Sequence, residues 1–200
     1  MTKTNTALWD VTARTNQPTW EDRAKIFAKF IRPTDTVLDL GAGDRKLKKY
    51  LAPETGYIPV DCTAELPGTF VVDFNETFAL PDEPFSIIVS AGFIEYLADL
   101  DGFLSNLAAR CAGIDFIFSY SYSTGKPPKK QYRKLGTLRT PDQVTQALVA
   151  HSYGLQEILR LKNQSLFSCT LTPQSNADQL SRPLLNDLIP LKRRWGRKSG

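Results

Sequence analysis

The sequence has few of the residues that build metal centres and disulfide frameworks. Its 200 residues include three cysteines, Cys62, Cys111 and Cys169, and one histidine. Zinc sites and disulfide-rich scaffolds need clustered or paired cysteines, and these three are far apart in the sequence. We therefore expect reduced, mostly buried cysteines and no structural metal.

Long apolar runs are also missing, and no segment reaches the length that a bilayer span requires. The first thirty residues lack the basic and then apolar pattern of a secretory signal. With 42% hydrophobic and 23% charged residues, the composition is that of an ordinary globular domain. We expect a cytoplasmic protein, with peripheral contact to a membrane as a further option.

The net charge of +4 is unevenly spread. Residues 173–200 carry six Lys or Arg against two Asp, and Gly125–Thr140 carries six with no acid. We expect a domain over residues 1–172 and a basic tail over 173–200. Leucines, Trp195 and basic residues at 184–198 suit weak contact with an anionic membrane surface. A frayed terminus, or a strip that folds back onto the domain, is the alternative.

Hydrophobic periodicity predicts strands that alternate with helices. The predicted helices are Trp20–Phe30, Asp101–Cys111 and one that starts at Thr140, where Pro141 and Gln143 complete a capping box. Leu47, Tyr50 and Leu51 also recur at helical spacing. The predicted strands are Val37–Leu40, Tyr57–Asp61, Thr69–Asp73, Phe85–Ala91, Asp115–Tyr122, Leu155–Leu161 and Ser165–Leu171. This order indicates an α/β fold with a doubly wound, mostly parallel sheet and a C-terminal antiparallel hairpin. Pro59 conflicts with its strand because it removes a ladder hydrogen bond.

One stretch, "VLDLGAGDRKL" from Val37 to Leu47, is typical of a ligand-binding loop. Gly41 and Gly43 tolerate positive φ and have no side chain to keep a ligand away. The dinucleotide fingerprint needs a third glycine where Lys46 stands, and the phosphate-loop pattern is absent. A tight turn without a ligand is the alternative.

The segments "VLDLGAGDRKLKKYL", "YIPVDC", "VVDFNE" and "FSIIVSAGFIEYL" together resemble the class I S-adenosylmethionine-dependent methyltransferases. The resemblance covers roughly Trp20 to Leu171 and implies a Rossmann-like fold with a terminal hairpin strand. It departs from the family at Arg45, where a third glycine is frequent.

The resemblance also implies a cofactor, S-adenosyl-L-methionine, and residues that would bind it. Each has a polar group or open space that suits one part of that molecule: Asp39, Gly41 and Gly43 for the methionine part, Asp61 for the ribose, Cys62 beside it, Asp73 and Phe74 for the adenine, and Ala91 for space near the sulfur. Asp61 could instead be a solvated loop residue, and Asp73 could serve a turn.

The acceptor side has fewer candidates. Glu95 and Tyr96 follow the fourth strand and are predicted to be catalytic. Tyr120 and Tyr122 could line an acceptor pocket or simply pack, and we expect His151 to be structural. The function expected is methylation of a small-molecule or glycan acceptor, which could be anionic because the basic loop would attract it. That loop could equally be a solvated face. The alternative is a non-catalytic module that works through its basic tail. Nucleic acid is an unlikely partner, and RNA methylation ranks third.

Overall fold

The computed structural model describes residues 18–121, 139–161 and 164–172. Three α-helices and seven strands in these ranges form the architecture. The helices are α1 (Pro18–Ala28), α2 (Leu100–Arg110) and α3 (Pro141–Val149). The strands are β1 (Thr36–Leu40), β2 (Gly56–Asp61), β3 (Phe70–Val71), β4 (Ile87–Ala91), β5 (Asp115–Ser121), β6 (Ser152–Leu161) and β7 (Gln164–Leu171).

All seven strands belong to one sheet with the order β3-β2-β1-β4-β5-β7-β6. The first five strands run parallel to one another. β7 is antiparallel to both of its neighbours and lies between β5 and β6. The predicted fold class, a mostly parallel doubly wound sheet that ends in an antiparallel hairpin, is confirmed.

Alternate residues of the central strands face two different layers, as the period of a strand requires. Leu38 and Ile88 pack on the side of α2 and α3. Val37 and Val89 pack on the other side, against Ala24 and Phe27 of α1. By the same alternation Asp39, Ala91 and Ser119 point towards the layer of α1, where the candidate site lies.

Several predicted elements are shorter in the structure. The helical spacing at Leu47 gives only a 3₁₀ turn, Leu47–Tyr50, because Pro53 follows and the chain must return to β2. Of the predicted strand Thr69–Asp73, only Phe70–Val71 forms a strand. Helix α1 has the predicted length but is shifted by two residues: it begins at Pro18 and ends at Ala28, which leaves Phe30 partly exposed.

Pro59 is tolerated because its nitrogen faces the outer side of β2, where no strand pairs with that residue. The Val60 carbonyl accepts from Gly41 on the side of β1, and the Asp61 carbonyl accepts from Val72 on the side of β3. Pro59 therefore faces the outer side of β2, as Asp61 does. β3 pairs only with Val60 and Asp61, so no ladder hydrogen bond is lost at Pro59.

Local capping signals are confirmed at the helices. Thr140 accepts from the Gln143 backbone, and the Gln143 side chain accepts from the Thr140 backbone, which completes the predicted capping box. Tyr122, most of the basic loop and the tail from residue 173 lie outside the described residues, so the predictions about them remain predictions.

Candidate active site

The loop after β1 brings bare backbone to the carboxyl edge of the sheet. Gly41 and Gly43 have φ angles of 72° and 49°, in the region that side chains disfavour. A Cβ atom at Gly41 would lie 2.5 Å from Cβ of Phe93, whereas a Cβ atom at Gly43 would meet nothing within 4 Å. Gly41 is therefore required by packing, and Gly43 leaves open space.

A cavity opens between the ends of β1 and β4. Residues of α1, of the glycine loop and of the end of β4 line it: Ala24, Asp39, Gly41, Ala42, Gly43, Asp44, Lys46, Leu47, Ala91 and Gly92. The chain moves outward from β1 to β3 and then returns to the other side of β1 with β4. Such a reversal of strand order is where open α/β sheets bind ligands.

Asp39 is the buried acid of this cavity. Its residue exposure is only 3%, and its Oδ2 accepts a hydrogen bond of 2.6 Å from the Tyr57 hydroxyl. Burial raises the pKa of Asp39 to about 7, the Tyr57 hydrogen bond opposes that shift, and the nearby Asp61 carboxylate adds to it. A cationic ligand group beside Asp39 would favour the ionised carboxylate.

Asp61 joins the end of β2 to the glycine loop. Its Oδ2 accepts a 2.8 Å hydrogen bond from the Gly43 N–H, and its Oδ1 accepts from the Thr63 N–H at 3.3 Å. The carboxylate therefore lies next to the open space at Gly43. Cys62, which follows it, is half-buried, and burial raises the pKa of its thiol to about 12. The thiol is neutral at physiological pH.

Asp73 and Phe74 lie at the end of β3. Oδ1 of Asp73 accepts from the Asn75 N–H at 2.9 Å, which is the turn contact typical of aspartate after a strand. The Phe74 ring contacts Phe78, Phe93 and Phe103, with centroids 5.2 to 5.6 Å apart. Because Phe93 also packs on Gly41, this cluster connects the adenine-side candidates with the glycine loop.

The predicted catalytic pair lies in a buried 3₁₀ turn, Ile94–Tyr96, that follows β4. Glu95 and Tyr96 have residue exposures of 6% and 7%. Burial raises the pKa of Glu95, and the nearby Arg23 guanidinium opposes the shift. Oε2 of Glu95 has no hydrogen-bond partner among the described residues. The Tyr96 carbonyl accepts from the Asn75 side chain, so the backbone here is tied to the turn after β3.

Arg23 belongs to this acceptor side, and the sequence reasoning missed it. It is 4% exposed, and Nη1 donates to Oγ of Ser119 at 3.5 Å. A Cβ atom at Gly92 would lie 3.0 Å from its guanidinium nitrogens. The available signal was its position four residues before Phe27, which places both residues on one face of the helix.

Of the candidates that the structure describes, Asp39, Gly41, Gly43 and Ala91 line the cavity. The others do not: Asp61, Cys62, Asp73, Phe74, Glu95, Tyr96, Tyr120 and His151. Tyr120 is 1% exposed, and its hydroxyl accepts from the Arg139 N–H, so in the structure it packs in the core. The Arg139 side chain pairs with Asp101 at 3.0 Å. His151 is buried, burial lowers its pKa, and its carbonyl accepts from Thr172. That contact places His151 near the amino edge of the parallel strands, opposite the cavity.

No family model matches the chain, and no curated protein sequence matches it. Solved structures do match. A SAM-dependent methyltransferase from Aquifex aeolicus superposes with a TM-score of 0.60 at 16% identity, over 85% of this chain and 100% of that one. The chain has a class I S-adenosylmethionine-dependent methyltransferase fold.

Two other solved structures that match the chain contain ligands. The N-terminal domain of EvdMO1 with SAH bound has a TM-score of 0.56 at 16% identity, over 78% of this chain and 82% of that one. Human N-acetylserotonin methyltransferase in complex with SAM has a TM-score of 0.52 at 18% identity, over 75% and 51%. The chain spans 41% of a longer EvdMO1 chain.

Two findings bear on metal and membrane binding. In the part of the chain that the structure describes, no group of three or more His, Cys, Asp or Glu side chains could hold a metal ion. In those same ranges, no helix combines the length and hydropathy of a transmembrane span.

Proposed function

We propose that the chain is an S-adenosylmethionine-dependent methyltransferase that acts on a small-molecule or glycan acceptor. One observation carries the proposal. The cavity at the reversal of strand order joins a buried carboxylate, Asp39, to the open backbone at Gly43, next to the Asp61 carboxylate. Each of these groups matches one part of the cofactor.

The match rests on charge and hydrogen bonding. Asp39 would hold the ammonium of the methionine part, because a buried carboxylate favours a cationic partner. Asp61 has two oxygens that can accept from the ribose hydroxyls, while Oδ2 keeps its contact with Gly43. Gly43 would let the cofactor approach the backbone, since no protein atom lies within 4 Å of its Cβ position.

When bound, the cofactor supplies a methyl group on a cationic sulfur. The residues of the chain would then orient the acceptor and exclude water around the reacting atoms. Glu95, whose buried Oε2 has no hydrogen-bond partner among the described residues, would take a proton from an acceptor hydroxyl or amine. The Arg23 guanidinium would favour the ionised form of Glu95, because it opposes the rise in pKa that burial causes.

The basic loop that ends at Arg139 would attract an anionic acceptor, although the Arg139 side chain itself is paired with Asp101. The comparisons do not favour the alternative of a non-catalytic module, and the basic tail which that alternative requires lies outside the described residues.

Calorimetry tests the cofactor part of the proposal. S-adenosylmethionine and its product, S-adenosylhomocysteine, should each bind at one saturable site, and NAD should give no heat. Binding of NAD without either adenosyl ligand would overturn the proposal. Methyl transfer from labelled cofactor to metabolites, glycans and RNA, assayed side by side, would then identify the acceptor class.

A further inference from the structure

Arg45 has an unusual backbone conformation. It is the one non-glycine residue with a positive φ, 57°, among the described residues. A side chain in this region strains the backbone, and such strain persists only where the surroundings enforce it. The sequence already marked this position, because a third glycine is frequent there in the methyltransferases that the chain resembles.

The Arg45 side chain makes three contacts with one turn. Nη2 lies 3.1 Å from the Leu66 carbonyl, 2.6 Å from the Pro67 carbonyl and 2.8 Å from Oγ1 of Thr69. Oγ1 of Thr69 also donates to the Leu66 carbonyl. Gly68, with a φ of 73°, completes this Pro-Gly turn. One guanidinium nitrogen thus contacts two carbonyls and one hydroxyl of the turn.

This turn belongs to the loop that connects β2 with β3, residues 62–69. The loop begins directly after Asp61 and ends at a strand only two residues long. So short a strand anchors the loop weakly. The glycine loop supplies two attachments from alternate residues: the Gly43 N–H holds Asp61, and Arg45 holds the turn at Leu66–Thr69.

We infer that Arg45 is a positioning residue for the nucleoside half of the cofactor, an inference that rests on the proposed function. It fixes the β2–β3 loop before the ligand arrives, so that Asp61 and the residues after it form a preformed wall beside the ribose and adenine. Preorganisation of this kind increases affinity because less order is lost on binding. The strained φ of Arg45 is the conformational cost of this attachment.

Arg45→Gly separates this role from a merely structural one. Glycine accepts the left-handed conformation without strain, so the thermal midpoint should stay unchanged or rise. The loop loses its attachment, so the Kd for S-adenosylhomocysteine should rise about tenfold, which corresponds to roughly 1.4 kcal/mol. Methylthioadenosine, which lacks the amino-acid half, should lose affinity by the same factor. Arg45→Lys keeps a charged nitrogen donor but not the position of Nη2, and its affinity should fall between those of the wild type and Arg45→Gly.

Hydrogen exchange on the ligand-free protein gives a readout that does not depend on binding. In Arg45→Gly, amides of residues 62–69 should exchange faster, and those of β1 and β4 should not change. Equal affinity of wild type and Arg45→Gly, or unchanged exchange in the loop, would overturn the inference. Failure of the wild type to bind S-adenosylhomocysteine would overturn the proposed function and the positioning role with it, while the exchange data would still report whether Arg45 holds the loop.

Discussion

The Tyr57 hydroxyl donates a hydrogen bond of 2.6 Å to Oδ2 of Asp39, a carboxyl group that the structure buries almost completely. Burial raises the pKa of Asp39 to about 7 in spite of this bond. The group that would hold the cofactor's ammonium therefore changes its charge near physiological pH.

We expect cofactor affinity to depend on pH through Asp39. The cationic ligand needs the ionised carboxylate, so affinity should fall as pH drops below about 7, by up to about tenfold per pH unit. Asp39→Asn should bind weakly at every pH and lose this dependence. Calorimetry at pH 5.5, 6.5 and 8 in two buffers of different ionisation enthalpy would show the proton released on binding. A flat wild-type profile would contradict this role for Asp39.

A side chain at Gly43 should block the cofactor. Gly43 and Gly113 both have positive φ and open space at the Cβ position. Alanine at either position should therefore destabilise the fold similarly, by about 1–2 kcal/mol. Only Gly43→Ala should weaken S-adenosylhomocysteine binding, since Gly113 lies near the opposite edge of the sheet. Gly41 is unsuitable for this test because its Cβ atom would collide with Phe93. Equal binding by the two variants would argue against a ligand at Gly43.

Loss of the Asp61 carboxylate should lower cofactor affinity roughly tenfold or more, because hydrogen bonds to a charged group are worth about 1.5–3 kcal/mol. Asp61→Asn retains an oxygen for the Gly43 N–H and should lose less than Asp61→Ala. Thr63→Val removes only the 3.4 Å contact from the Thr63 hydroxyl and serves as the control. An unchanged Kd in Asp61→Ala would make Asp61 a solvated loop residue.

Removal of Arg23 should destabilise the protein more at high pH than at low pH. Glu95 loses the nearby cation that opposes the effect of burial on its pKa, so its ionised form becomes costlier in the folded protein, by about 1.4 kcal/mol for each unit by which that pKa rises. At pH 5 the protonated carboxyl should avoid much of that cost. Urea denaturation of Arg23→Gln at pH 5 and pH 8 would measure the difference. The double variant with Glu95→Gln should show no such pH dependence; if it does, another group is responsible.

The tail from residue 173 should be dispensable for cofactor binding, because all the cavity-lining residues within the described ranges precede β7 in the chain. Deletion of residues 173–200 should leave the Kd for S-adenosylhomocysteine unchanged. Any sedimentation with phosphatidylserine vesicles should disappear, with neutral phosphatidylcholine vesicles as the control. A truncated protein that unfolds or no longer binds the cofactor would place the tail within the domain.

The sequence was informative where structure depends on local signals. The capping box at Thr140, the buried run of β4 and the spacing of the terminal hairpin each depend on residues close in sequence, and all three are present in the structure. Glycine spacing, read together with the family resemblance, also pointed to Asp39, Gly41, Gly43 and Ala91, and these four residues line one cavity in the structure.

Two features depend on distant residues and could not be predicted. Arg23 is buried because Ser119 and Glu95, more than seventy positions away in the sequence, lie beside α1 in the fold. The conformation of Arg45 is disfavoured for any residue with a side chain, so no local rule predicts it; contacts with the turn at Leu66–Thr69 enforce it.

Because β7 runs antiparallel to β5, it ends at the edge of the sheet opposite the cavity. The chain passes Leu171, whose carbonyl accepts from Gly113 just before β5 begins, and leaves the sheet at the amino edge of the parallel strands. The cavity opens at the carboxyl edge. A partner attached directly at Thr172 would therefore start from the side remote from the cavity mouth and would leave the access of dissolved acceptors to that mouth unhindered.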